Sequence, residues 1–293
     1  MIPTLIRHKD HWQGHFVAMA SDCELLIDPC PQPLAQQLLE QACRIATGIE
    51  HKYSRYRRDN VWAQLHRSRG TKITLDPETT RLLHFAQTCF ELSDGMFDIT
   101  SGLLRQIWPF NADGAPPTQQ QIDALLPRIG WQRVQLHGDQ FLLPWGMELD
   151  FGGIGKEYAV DKTAAQMAQI APELSVLVNF GGDIALSRPR AKPWQIGISP
   201  AGSEPALLQR LSIRHGALAT SGSTQRFLLH NNIRYSHLLN ANTGWATHGG
   251  PAQLTVAGRS CLQAGLLSSL ALLHGADAEA FIQAQAVPYW LTP

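Results

Sequence analysis

No two cysteines stand in a C-x-x-C pair, and the five present (Cys23, Cys30, Cys43, Cys89 and Cys261) are scattered and odd in number. That excludes a disulfide framework or a zinc knuckle and reads as buried reduced thiols. Net charge is missing too. The 24 lysines and arginines offset 24 aspartates and glutamates, so no global field draws the chain to nucleic acid or a membrane surface. There is no apolar run of about eighteen residues, the length a spanning helix needs. The N-terminal stretch carries charges where a signal peptide needs an apolar segment. As written the sequence implies a cytoplasmic protein; with a leader trimmed away, a periplasmic one. Repeats, low-complexity tracts and linkers are absent. What remains is 44% hydrophobic and only 16% charged over 293 residues. That is enough apolar material for one large or two intimate domains and argues against disorder.

Local patterning mixes helices and strands irregularly. Residues 16–27 are strand-like. Leu34, Leu38, Leu39, Ala42 and Ile45 recur at helical spacing over 33–54, with Pro33 in the first turn. Asp76-Pro77-Glu78 opens a second helix in the order cap, proline, acid, and Asp94-Gly95 closes it. Residues 131–144 predict a hairpin turning at Gly138-Asp139, and "MELDF" (147–151) a further strand. A helix is expected over 156–170, a buried strand over 174–180 and a helix over 259–275. Mostly strands lie between the last two, with turns at Gly202, Asn231-Asn232 and Gly249-Gly250. This mixture predicts an α+β fold.

The chemistry gathers at glycine corners. In "ELDFGGIGKEYAVD" (148–161), Gly152, Gly153 and Gly155 run into Lys156 and a helix. A G-x-G-x-x-G fingerprint begun at Gly153 would need its third glycine at Tyr158, and Lys156 is followed by Glu157 where a P-loop has Ser or Thr, so both common phosphate loops are excluded. The physics beneath them remains. Glycines let backbone N–H groups close on an anion, a helix N-terminus adds about half a positive charge, and Lys156 adds a whole one. Alone, the stretch fits an anion cradle and a tight packing turn equally. A second corner, "VNFGGDIAL" (178–186), delivers Asp183, and two polar clusters follow, "LATSGSTQR" (218–226) and "RYSHLLNANTG" (234–244). His8, His11 and His15 lack an accompanying acid triad and read as a surface or frayed cluster. Ser221 with His237 lacks the G-x-S-x-G elbow of a hydrolase.

Seven blocks in order carry a resemblance. They are Met19-Ala20-Ser21, "YSRYRRDN" (53–60), "DGMFDITSGLLRQIW" (94–108), L-D-F-G-G-I-G-K-x-Y-A-V-D, V-N-F-G-G-D, A-T-S-G and Y-S-H-L-L-N-x-x-T-G. Over about residues 16–275 the chain resembles the FAD:protein FMN transferases, the ApbE-like family. The resemblance implies T-fold-related mixed sheets packed with helices. It implies one ApbE-like unit over 1–293, or two interwoven subdomains with the FAD pocket between them. Its chemistry is cleavage of the FAD pyrophosphate with a magnesium ion and attachment of the FMN half to a Ser or Thr of a target flavoprotein. Carried over residue by residue, Met19, Tyr56, Met96, Phe97 and Asp98 belong to the FAD pocket, with Asp150, Lys156, Asp183 and Leu238. The Gly153 backbone and Ser269 lie at the metal, and His237 is the general base. From the residues alone, Asp150 also reads as a helix cap, Tyr56 as a core tyrosine and His237 as a structural histidine. Met19, Met96, Phe97, Asp98 and Leu238 read as packing.

The resemblance breaks in the last block, where the family has roughly A-D-A-L-A-T and its Asp and Thr hold magnesium. Aligned through Cys261 and Ala264, this chain has Gly265 and Ser269 there. Magnesium seeks oxygen ligands in strict octahedral geometry, usually with one or two carboxylates, so Gly265→Asp is expected to restore cation binding. Glu157 stands where the family often has glycine. It is expected as a solvated first-turn acid favourable to the helix dipole; repelling FAD and replacing the lost ligand are its other readings. Asn240-Ala241 replaces a common Asp-Pro. Three functions stay open: magnesium-dependent FMN transfer to protein, FAD binding without catalysis, and an FAD pyrophosphatase giving FMN and AMP. The expected partner is an acceptor flavoprotein subunit, with no nucleic acid and no membrane insertion.

Overall fold

A computed structural model describes residues 3–68, 70–110, 114–199, 209–222 and 227–292. The turn expected at Gly202 and the end of the 218–226 cluster lie outside the described residues. Eight strands form the central sheet: β1 (Thr4–Arg7), β2 (Trp12–Ala18), β3 (Ser21–Ile27), β4 (Val176–Phe180), β5 (Asp183–Leu186), β6 (Ala217–Gly222), β7 (Gln253–Gly258) and β8 (Tyr289–Thr292). They lie side by side in chain order, each neighbouring pair antiparallel. In β4, Val176, Val178 and Phe180 enter one core and Leu177 the other; in β6, Ala217 and Ala219 oppose Leu218. That is the period of two of strands buried on both faces.

The four longer helices are α1 (Gln32–Tyr53), α2 (Pro77–Leu92), α3 (Gly155–Ile170) and α4 (Cys261–Leu273), and three seven-residue helices (Val61–Arg67, Gln119–Leu125 and Ala278–Ala284) join them among the described residues. Of these, α1, α3 and α4 cover one face of the sheet and pack α1 on α3 and α3 on α4. A hairpin of Trp194–Ile198 with Gln209–Ile213 covers the other, burying Trp194 and Ile213. A smaller apolar cluster, with Leu104, Trp108 and Leu228 at its centre, sits under a second hairpin, Phe227–His230 with Ile233–Ser236. The α+β class is as expected, and so are the four helices. Asp76 caps α2 by accepting the Glu78 and Thr79 N–H groups at 3.1 and 3.2 Å. The predicted hairpin pairs Gln135–His137 with Gln140–Leu142.

Two strand expectations are corrected. Residues 16–27 are not one strand but the hairpin β2–β3, turning at Met19 and Ala20 with φ of 53° and 54°. Residues 147–151 form no strand beyond one bridge at Glu148. The Leu149 N–H instead donates to His66 Nε2 and its carbonyl accepts from Trp62 Nε1, each at 2.8 Å, while the Asp150 N–H donates to the Ile99 carbonyl at 2.7 Å. The backbone is satisfied without a sheet. Cys23, Cys89 and Cys261 are buried, whereas Cys30 and Cys43 are only half-buried. His8 and His11 stack with ring centroids 4.5 Å apart beside the turn joining β1 to β2.

Glu78 ties three helices together. Its carboxylate accepts from Lys52 Nζ of α1 and the Tyr158 hydroxyl of α3, each at 2.8 Å, and from the Lys162 ammonium. Burial alone would raise its pKa, but the hydrogen bonds from Lys162, Lys52 and Tyr158 outweigh it and hold the carboxyl at about 2, below its ordinary 4.5. A depressed carboxyl adds stability that is complete above the unfolded pKa and is lost as pH falls through the folded one. Glu78→Gln should therefore cost about 1–3 kcal/mol at neutral pH, the scale of hydrogen bonds to a charged group. In urea unfolding, the gap to wild type should close between pH 4.5 and pH 2. A gap of constant size across that range would assign the effect to something other than the carboxylate.

Candidate active site

The site forms where α3 meets α4. Asp161 of α3 turns its carboxylate onto the start of α4 and accepts the N–H groups of Cys261 at 2.7 Å and Leu262 at 2.9 Å. Those are two of the donors every helix start leaves unspent, and the Ser260 side chain takes a third, from Gln263 at 3.2 Å. The clamp sets the register of the two helices. Glu157 lies one turn back along α3, Gly265 one turn forward along α4, and the two meet. A Cβ on Gly265 would stand 2.7 Å from Glu157 Cγ and 3.1 Å from its Oε1. Ser269 follows one turn further along the same face of α4.

Two expectations are overturned here. Glu157 is not a solvated acid: its Oε2 is sealed from solvent and accepts no hydrogen bond. Burial, and then the nearby charge of Asp183, push its carboxyl up to about 8. Nor does Gly265→Asp simply restore a ligand, because the volume its Cβ needs is already filled by Glu157.

A cleft of about 1300 Å³ opens beside these groups. It exceeds the roughly 300–1,000 Å³ of ordinary small-ligand sites and has room for a dinucleotide. At its edge α3 begins without a side-chain cap, since Ile154 offers none, so the first-turn N–H groups and Lys156 open onto the cleft. Lys156 Nζ pairs with Asp183 Oδ2 at 2.9 Å. Burial would lower the lysine's pKa, but the Asp183 charge outweighs it and keeps Lys156 protonated. Asp183 is 2% exposed and starts β5 just after Gly181. Gly181 has φ +60°, and a Cβ there would come 2.8 Å from Ser21 Oγ, so this corner requires glycine.

Beside the acids lies a shelf of hydroxyls. Ser221 Oγ is 2.7 Å from Ser268 Oγ and 3.0 Å from Ser269 Oγ, and the Thr220 and Thr255 hydroxyls are 2.9 Å apart. Among the described residues no three His, Cys, Asp or Glu side chains converge. The donors at hand are carboxylate and hydroxyl oxygens, which suit a hard cation such as magnesium rather than zinc. The orphaned Glu157 Oε2 fits the same reading, as a buried acceptor that no protein group serves.

Just before α3, Asp150 caps the turn Phe151–Gly153 by accepting the Gly152 N–H at 2.9 Å. Its other oxygen holds Arg105 Nε at 2.7 Å and Arg55 Nη1 at 3.1 Å, and Arg55 also reaches Glu148 at 2.6 Å. The capping alternative for Asp150 is thus realised, and Arg55, Arg105 and Glu148 were not anticipated. Only Arg55 had a signal, the arginine-rich segment at 55–58.

Met19, Tyr56, Phe97, Asp98 and Leu238 also line the cleft, together with Gly153, His237 and Ser269. Tyr56 is 86% exposed, so it is no core tyrosine. Asp98 is an internal brace, both oxygens taken at 2.7 Å by the N–H groups of Thr100 and Trp131. Met96 is not on the cleft wall and packs instead with Cys89, Leu266, Leu270 and Leu273. His237 sits in the bend that follows the strand Ile233–Ser236, not within the strand.

These features define an α+β protein with a nucleotide-sized cleft. Residues 19–290 match the ApbE family, and the chain belongs to it. It is 25% identical over 256 residues to an FAD:protein FMN transferase of Vibrio cholerae, covering 84% of this chain and 76% of that one. It is 30% identical over 229 residues to an FAD:protein FMN transferase of Salmonella typhimurium, covering 72% of this chain and 63% of that one. Its fold is similar to the ApbE protein of Thermotoga maritima (TM-score 0.85, 22% identity, 96% of this chain and 94% of that one). It is similar also to the apo flavinyl transferase ApbE of Pseudomonas stutzeri (TM-score 0.82, 22% identity, 98% and 92%).

Removing the clamp should loosen the helix pair. Asp161→Ala is expected to cost about 0.5–2 kcal/mol in urea unfolding, the range of a lost helix cap. Asp161→Asn, which still accepts one N–H, should cost less. A fully stable Asp161→Ala protein would mean that packing alone sets the register.

Proposed function

We propose that the chain is an FAD:protein FMN transferase, which binds FAD in the cleft and moves its FMN half onto a Ser or Thr hydroxyl of an acceptor flavoprotein. The observation that carries this reading is the uncapped start of α3, which opens with Lys156 onto the same cleft that His237 lines. Backbone N–H groups, a helix dipole and an ammonium together suit a pyrophosphate. Charge developing on phosphate oxygens needs such fixed positive groups, because phosphoryl transfer is mostly positioning and neutralisation. The names of the Vibrio and Salmonella relatives agree with the reading.

In the step, the acceptor hydroxyl oxygen forms a bond to the FMN phosphorus while that phosphorus loses its bond to the bridging oxygen. AMP departs with the electron pair, and the hydroxyl proton passes to the imidazole of His237. Tyr56, exposed at the cleft, offers a planar face for a flavin or adenine ring. The Arg55 and Arg105 pair holds Asp150, and with it the turn that presents Gly153. Magnesium, when bound beside Ser269 and the Gly153 backbone, supplies further positive charge to the pyrophosphate.

The test is to incubate the protein with FAD, magnesium and a peptide carrying the acceptor Ser or Thr, and to weigh the peptide. A gain of one FMN phosphoryl group is expected. AMP release with an unchanged peptide would instead show hydrolysis, and intact FAD would show binding alone. His237→Ala should leave FAD affinity within a few-fold and slow transfer by about 100-fold, the usual scale of lost acid–base help. Equal rates in the two proteins would remove His237 from the reaction.

A further inference from the structure

Helix α4 carries no carboxylate along its length, Cys261–Leu273. The family resemblance expects one at position 265, and Gly265 leaves a gap there. That gap is filled from the neighbouring helix. Glu157 Cγ, Cδ and Oε1 lie 2.7, 3.2 and 3.1 Å from where a Cβ on Gly265 would stand. The carboxyl group of Glu157 therefore occupies the volume that an acidic side chain at 265 would fill, and reaches it from α3. We propose that Glu157 is the cation-binding carboxylate of this chain, carried on α3 rather than α4, and that Gly265 is the vacancy that admits it. The assignment rests on the flavin-transferase reading above, which locates the cation beside the pyrophosphate.

Three observations support it. Glu157 Oε2 is buried and takes part in no hydrogen bond. An ionised oxygen there lacks a donor and a protonated one lacks an acceptor, so the protein alone leaves it costly in either form. Lys156, the adjacent cation, is already committed to Asp183 at 2.9 Å. One ammonium thus stands beside two acids, and the Glu157 carboxyl is the one left without a cationic partner of its own. Finally, Ser269 lies on the face of α4 that Gly265 opens, and its hydroxyl is 3.0 Å from Ser221 Oγ. Carboxylate and hydroxyl oxygens together make the hard-donor set that magnesium takes. A first-turn acid kept only for the helix dipole needs none of this and belongs in solvent.

The exchange is tested by moving the carboxylate back. Mn²⁺ is titrated into the purified full chain, without and with FAD, with free Mn²⁺ followed by electron paramagnetic resonance and magnesium added as competitor. Wild type should hold one Mn²⁺ that magnesium displaces. Glu157→Gln, equal in size, should weaken that site by at least about 10-fold, the lower range for losing even an outer partner of a metal ligand. The paired change Glu157→Gly with Gly265→Asp should bind within a few-fold of wild type, while Glu157→Gly alone should not. Thermal melts followed by circular dichroism identify the folded variants, and Glu157→Gln alone decides the matter if the paired variant does not fold. Mn²⁺ binding unchanged in Glu157→Gln, or no Mn²⁺ site in wild type with FAD bound, would overturn the proposal. Because the readout is cation binding, a chain that binds Mn²⁺ through Glu157 yet transfers no FMN would refute the transferase reading and leave this assignment standing.

Discussion

Two hydrogen bonds from the start of α4 to Asp161 set the register on which the cleft depends. A helix rises about 1.5 Å per residue, so one turn from the clamp is about 6 Å along either axis. At that distance Glu157 and Gly265 interlock with no room to spare. A slip of one residue along α4 would bring Leu266 toward Glu157, and the two side chains could not share the space. The register is therefore all or nothing. With it come the placement of Ser269, one turn further on, and of the uncapped start of α3 at the edge of the cleft.

The turn that precedes α3 is fixed by a different device. Arg55, Arg105, Glu148 and Asp150 come from three separate stretches of chain and meet in one network of ion pairs. Asp98 braces the same region through the Trp131 and Thr100 backbone. These contacts hold the turn Phe151–Gly153 while Asp161 holds the helix that follows it. The glycine-rich loop is thus anchored at both ends and keeps its backbone free to meet an anion. Positive charge is used sparingly. Arg55 and Arg105 serve structure, and Lys156 shares its charge with Asp183.

Much of this was legible in the sequence. Apolar spacing and the Asp76-Pro77-Glu78 start placed α1 and α2, and the glycine corners marked both loops that face the cleft. What escaped was information carried by distant partners. The turn at Met19-Ala20 uses left-handed backbone without glycine, so it left no local mark and β2 and β3 read as one strand. Residues 147–151 have a strand's alternation, yet Trp62 and His66 supply the hydrogen bonds a sheet would have given. Asp150 lines the cleft, yet no local pattern joined it to the two arginines that its carboxylate holds while it caps the turn. Gly265 looked like a lost ligand and Glu157 like a solvated acid. Their relation spans 108 positions and became visible only once Asp161 had brought the two helices into register.

In the proposed arrangement the start of α3 holds the pyrophosphate while Glu157 holds the cation beside it. A crystal structure with FAD and Mn²⁺, with an anomalous-difference map at the manganese edge, tests it most directly. The map should show the pyrophosphate against the first-turn N–H groups of α3 and Lys156, and a manganese peak in bonding contact with a Glu157 oxygen. An ordered FAD whose pyrophosphate lies away from α3, or a peak on ligands that exclude Glu157, would contradict that arrangement.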